Sequence, residues 1–154
     1  MDRVNRRTAL KLGMGLTATA IATAATPTWA APGPVQVTLY KDPQCSCCEN
    51  YADYLRKNGF AVTVIGTHDL PLMNDQLGVP ANLQGCHLAK VNGYVIEGHV
   101  PVDMVKRLLA EKPAIKGITL PGMPAGAPGM YGTKTGPFTV YVLGSTPPKV
   151  YATE

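Results

Sequence analysis

Three of the chain's four cysteines stand within four consecutive residues, Cys45-Ser46-Cys47-Cys48, and the fourth, Cys86, is followed directly by His87. At most two of the three clustered sulfurs can bond each other. A purely structural set of disulfides needs either an adjacent-cysteine bond or two cross-links into one four-residue segment, both geometrically demanding. The sulfur inventory reads as one site built from two segments, and its density points to metal or redox chemistry.

The N-terminus carries Arg6 and Arg7, then a small-residue and apolar run from about Leu12 to Ala25, then Thr28-Trp29-Ala30. That order is the pattern of an export signal, residues 1–30, with cleavage expected at Ala30. The run is too short and too rich in Thr, Ala and Gly to span a bilayer, which takes about 20 predominantly apolar residues. Arg6-Arg7-Thr8-Ala9-Leu10-Lys11 resembles a twin-arginine signal, with Ala9 where Phe is usual. The expected destination is the periplasm, with no membrane span in the mature chain. Residues 1–30 hold four basic and one acidic residue, so their removal lowers the formal charge from +4 to +1. Without a basic patch interleaved with aromatics, nucleic acid binding has no electrostatic footprint. Residues 31–154 are expected to form one domain, large enough for a core that needs no disulfide staples.

Val35 to Tyr40 alternates apolar and polar residues and reads as a strand ending at Lys41-Asp42-Pro43. Cys48, Tyr51, Ala52 and Leu55 follow at i, i+3, i+4, i+7, which predicts an amphipathic helix with cysteines at its start and Asn58-Gly59 as its stop. Phe60 to Ile65 suits a parallel strand, completing a βαβ unit. Leu70 to Leu77 predicts a short helix closed by Gly78. Asn92-Gly93 joins two extended runs, Cys86 to Val91 and Tyr94 to His99, as a hairpin, because both turn positions tolerate φ > 0. Cys86 and His99 then fall at the same open end. Pro101 opens a helix with a Val102, Val105, Leu108, Leu109 stripe, ended by Pro113. Residues 117–136 are Gly/Pro-rich, lack periodicity and read as a loop, and Phe138 to Leu143 and Lys149 to Ala152 read as closing strands. The order β-α-β-(α)-β-β-α, with a Cys pair at the first strand-to-helix junction, predicts an α/β, thioredoxin-like domain.

Cys45 and Cys48 form a C-x-x-C pair at a helix N-terminus, where unsatisfied N–H groups and the dipole favour thiolate. Thiolate is both a soft-metal ligand and a nucleophile, so the motif fits metal binding and thiol-disulfide cycling through Cys45 and Cys48 alike. Soft thiolates select Cu(I), Zn(II) or iron-sulfur clusters. A structural Cys₄ zinc site is less well matched, since three ligands in four residues crowd a tetrahedral ion. Asp42 and Glu49 read as a turn residue and a solvated helix start, His68 as a surface residue and Met104 as core. No Ser/His/Asp arrangement, phosphate-binding loop or carboxylate pair stands out, which argues against a hydrolase or nucleotide enzyme.

Four elements, in order, resemble the CopG-like family of exported, metal-binding proteins associated with copper resistance. They are Cys45-Ser46-Cys47-Cys48, Gly85-Cys86-His87, Gly93 to Pro101, and Leu120-Pro121-Gly122-Met123-Pro124 with Pro128-Gly129-Met130. The resemblance implies a thioredoxin-like fold and a thiol-rich copper site. Its implied Cu(I) ligands are Cys45, Cys47, Cys48 and Cys86, with Met123 and Met130 as further candidates; His87 and His99 are candidates, as ligands or as hydrogen-bonding neighbours of the site, from their expected place at the cluster end of the hairpin. Tyr51 stands where many relatives carry Trp, a difference expected to affect packing more than ligation. The implied role is copper resistance or homeostasis, with copper ions, a copper exporter, a metallochaperone or a thiol reductant as partners. A metal-free periplasmic thiol-disulfide oxidoreductase and a copper-delivery module are the alternatives.

Overall fold

A computed structural model describes residues 33–154; the expected export segment 1–30, its Arg6-Arg7 pair and its cleavage position lie outside the described residues. The elements are β1 (Val35–Lys41), α1 (Ser46–Lys57), β2 (Phe60–Gly66), α2 (Leu70–Leu77), β3 (His87–Val91), β4 (Tyr94–Gly98), α3 (Val102–Glu111), β5 (Gly117–Leu120), β6 (Thr139–Val142) and β7 (Val150–Thr153). All seven strands form one mixed sheet in the order β2-β1-β3-β4-β5-β6-β7. The expected β-α-β-α-β-β-α order is present from β1 to α3.

Each helix sits where its apolar stripe dictates. Tyr51, Ala52 and Leu55 of α1, with Val102, Met104, Val105 and Leu108 of α3, pack against Val37, Leu39, Ala89 and Ile96 on one face of the sheet. Leu70, Met73 and Leu77 of α2 join Val79, Leu83, Leu88 and Val95 in a smaller cluster. Strand alternation makes this second cluster the opposite face, since Leu88 and Val95 alternate with Ala89 and Ile96. The hairpin turns as predicted, with Asn92 at φ 45° and Gly93 at φ 85°. Its register pairs Leu88 with Glu97, so Cys86 and His99 come out opposite each other just beyond the paired residues.

Residues 117–136 are not loop throughout. Residues 117–120 form β5, paired in parallel with β4 and in antiparallel with β6. Four residues are too few to display a period, and this strand owes its place to non-local pairing and complete burial. With α3 it makes a second βαβ unit, β4-α3-β5, so parallel crossovers flank the central hairpin. Ile118, fully buried on β5, is expected to be a core residue: Ile118→Ala should cost about 2–5 kcal/mol, read as a lower urea midpoint at unchanged slope.

Candidate metal centre

The cysteine loop is short because β1 runs straight into it. Alternation along β1 puts Lys41 on the α1 face beside Val37 and Leu39, and the side chain is buried. Its ammonium donates to the carbonyls of Asp42, Pro43 and Cys45 at 3.1, 3.2 and 3.1 Å and pairs with Glu49 at 3.1 Å. The loop is thus wrapped around a buried lysine that donates to three of its carbonyls. Cys45 occupies the N-cap of α1, and Cys47 and Cys48 lie in its first turn.

A disulfide joins Cys45 to Cys48, while Cys47 and Cys86 are free. All four sulfurs lie within 4.8 Å of one another. Cys47 Sγ is 3.4 Å from Cys45 Sγ and 3.7 Å from Cys86 Sγ, and Cys86 Sγ is 3.5 Å from Cys48 Sγ. The two segments separated in sequence do converge. All four sulfurs can serve as thiolates only once the Cys45–Cys48 bond is reduced.

Cys86 also belongs to a second donor group with His87 and His99. His99 Nε2 is 3.1 Å from Cys86 Sγ, and His87 Nδ1 is 3.5 Å away. His99 Nδ1 faces the Pro128 carbonyl at 2.7 Å; a carbonyl only accepts, so Nδ1 carries the proton and Nε2 presents its lone pair to the cysteine. Continued alternation after β4 would put His99 on the face of Glu97. The positive φ of Gly98, 73°, turns it to the α1 side instead, and Gly98 is also where the Gly85 backbone approaches so closely that a Cβ on Gly85 would lie 2.7 Å from the Gly98 Cα.

Both imidazoles are fully buried, and Tyr51 is their platform. Its ring lies 4.6 Å from that of His87 and 5.4 Å from that of His99, while its hydroxyl donates to the Val100 carbonyl at 2.8 Å. Burial, and then the neighbouring His99, lower the pKa of His87 to about 3; burial also lowers that of His99. Both rings stay neutral at ordinary pH, the form that binds metals. His87 Nε2 has no hydrogen-bond partner. Burial pushes the Cys86 thiol up to about 12, with nearby Cys47 acting in the same direction, so in metal-free protein Cys86 is a thiol rather than a thiolate.

The methionine segment is fastened to this site through its backbone. Pro128 receives His99, Asn50 Nδ2 donates to the Gly129 carbonyl at 3.4 Å, and Gly129, at φ 82°, lies against Tyr51 so closely that a Cβ would be 2.7 Å from the Tyr51 nitrogen. Met130 follows and packs half-buried against the core, whereas Met123 is exposed. Met104 is core. His68 is exposed beside Asp42, and Glu49 is half-exposed.

Sequence reasoning missed Lys41, Glu97 and the role of Tyr51. A lysine ending a strand reads as solvated, and a lone glutamate in a β run carries no period. Glu97 is fully buried on the α2 face, where its Oε1 accepts from the Gly85 N–H at 2.7 Å and from Asn74 Nδ2 at 3.4 Å. It thereby holds the residue before Cys86.

Gly129→Ala should destabilise the protein by more than about 1 kcal/mol, because both φ and the Tyr51 backbone oppose a Cβ. Nitrogen NMR of the His99 ring should show the Nδ1–H tautomer disturbed in the same variant. Burial raises the Glu97 carboxyl to about 7 from an ordinary 4.5, so metal-free protein loses stability as pH rises through that window and the folded state must ionise it. Glu97→Gln should therefore gain on wild type above pH 7, by up to about 3 kcal/mol, and gain little at acid pH, as read by thermal melts across pH.

Residues 83–130 match the family described as "Protein of unknown function, DUF411". Two solved structures described as copper resistance protein CopG, form 2 and form 1, are similar to this chain with TM-scores of 0.71 and 0.70. Each is 32% identical, over 79% of this chain and 98% of its own length. No match is found among curated proteins. With a cysteine cluster able to bind metal, and with structural relatives of that description matched over nearly their whole length, the chain belongs to the CopG-like copper resistance family.

Proposed function

We propose that this is an exported, periplasmic protein of residues 31–154 that captures Cu(I) as cargo through its cysteine cluster, serving copper resistance or homeostasis. One observation carries the reading: four cysteine sulfurs within 4.8 Å, with Cys86 shared by a second group containing His87 and His99. These are soft and borderline donors, suited to Cu(I) and poorly suited to hard oxygen-seeking ions. Zinc fits less well, because three of the four sulfurs come from one four-residue segment.

In the oxidised form, Cys47, Cys86 and His99 are the donors already available to a first ion. A thiol reductant that opens Cys45–Cys48 adds two more sulfurs and room for further copper. The same dithiol can act on copper itself: two Cu(II) ions plus Cys45 and Cys48 thiols give two Cu(I) ions, the disulfide and two protons. Met130, and Met123 from the surface, are proposed as thioether donors during loading. A copper exporter or metallochaperone is the proposed recipient.

A metal-free thiol-disulfide oxidoreductase is the second reading, favoured by the Cys45–Cys48 disulfide at the start of α1. Elemental analysis and thiol counting on protein purified anaerobically from the periplasm separate the two. Copper present, with thiols that titrate only after it is stripped, is the expected result. No metal, together with copper-independent reduction of a disulfide substrate, would establish the oxidoreductase instead.

Because Cys86 serves both donor groups, Cys86→Ser should weaken Cu(I) binding by at least about tenfold, on the order of 1.4 kcal/mol, in competition with a Cu(I) chelator. Unchanged affinity after replacing Met123 and Met130 together with Leu would remove the thioethers from the site.

A further inference from the structure

The disulfide in the cluster has one sulfur inside and one at the rim. Cys48 is fully buried, whereas Cys45 is partly exposed at the N-cap of α1. Both of its sulfurs have a free cysteine in near contact: Cys86 Sγ stands 3.5 Å from Cys48 Sγ, and Cys47 Sγ stands 3.4 Å from Cys45 Sγ. The two neighbours are not equivalent. Cys47 is fixed in the first turn of α1, where residues two apart do not face each other, so a Cys45–Cys47 bond would break the helix start. Cys86 precedes β3 outside helix and strand, so a bond to Cys48, whose sulfur is 3.5 Å away, breaks no helix start.

We propose that this disulfide is exchangeable within the cluster and that its exchange moves copper away from Cys86, beside His99, onto Cys45 at the start of α1; the hand-off rests on the Cu(I) reading above. Cys86, as the thiolate holding Cu(I) jointly with Cys47, attacks Cys48 Sγ. The Cys48–Cys86 bond forms, the Cys45–Cys48 bond breaks, and Cys45 departs with the electron pair as a thiolate. That thiolate takes the place on the metal that Cys86 gives up, beside Cys47. Two thiolates hold the ion before and after, one disulfide exists before and after, and no proton, electron or external oxidant is required. The starting pair, Cys47 and Cys86, has His99 Nε2 at 3.1 Å from Cys86; the product pair, Cys45 and Cys47, lies at the N-cap and in the first turn of α1, and all three residues are partly exposed. Exchange thus weakens the hold of the histidine pocket and presents the cargo to an incoming thiol or thioether acceptor without the site having to be reduced.

The test is disulfide mapping of the full protein. Protein oxidised at Cys45–Cys48 receives one equivalent of Cu(I) as its acetonitrile complex under anaerobic conditions. It is then quenched in acid, alkylated and digested with trypsin. Cys45, Cys47 and Cys48 fall in peptide 42–56 and Cys86 in peptide 58–90, so the starting bond is internal to one peptide and the product bond links two. Retained copper is measured in parallel with a Cu(I) chelator. The expected result is a linked pair that carries alkyl label on Cys45 and Cys47 and is absent from Cys86→Ser protein. Retained copper with only the internal Cys45–Cys48 bond overturns the exchange and leaves the copper reading standing, as does a linked pair formed through Cys47. Failure to retain any copper overturns the copper reading itself, and the hand-off with it.

Discussion

Tyr51 ties the helix that carries the cysteines to the hairpin that carries the histidines. One turn after Cys48 on the same stripe of α1, its hydroxyl reaches the Val100 carbonyl while its ring supports both imidazoles. Burial raises its phenol well above the usual range, so the group stays a neutral donor at every relevant pH. Fixing Tyr51 fixes the rotation and depth of α1, and therefore where Cys47 and Cys48 meet Cys86. The backbone of the same residue receives Gly129, so the methionine segment takes its position from the same anchor.

Around that anchor, two buried ionisable side chains lie on opposite faces of the sheet. Lys41 lies on the α1 side and organises the cysteine loop through three carbonyls; Glu97 lies on the α2 side and holds Gly85 ahead of Cys86. Neither side chain is among the donors that approach the sulfurs, yet each fixes the backbone that presents one. Such supporting contacts commonly decide how well a metal-binding set is aimed. The histidines are neutral for a different reason, since their pocket excludes the water that an imidazolium needs. The centre therefore offers neutral imidazole nitrogens beside its sulfurs, in a setting unfriendly to hard, strongly hydrated ions.

The joining of Cys45 to Cys48 gives the cluster two kinds of sulfur, one bonded pair and one free pair, within a single contact distance. The atoms that could hold a metal ion include those of the disulfide. A bonded pair and a free pair thus share one cluster, with Cys86 in contact with both Cys47 and Cys48.

Local patterns in the chain were enough to determine the elements that build the site. The i, i+3, i+4, i+7 stripe from Cys48 gave α1, and Asn92-Gly93 gave the hairpin and, through its register, the meeting of Cys86 with His99. Those features depend on periodicity and turn chemistry, which neighbouring residues express by themselves. β5 was not legible, because four residues have no period and its strand exists only by pairing with β4 and β6. Nor were Lys41, Glu97 and the Pro128 carbonyl legible as parts of the site, since their partners are backbone atoms that carry no residue-specific mark. The sequence by itself determined which donors exist and which segments present them; only the tertiary structure decided which sulfurs pair, which imidazole nitrogen faces them and which buried side chains hold them, because those outcomes depend on distances between segments far apart in the chain.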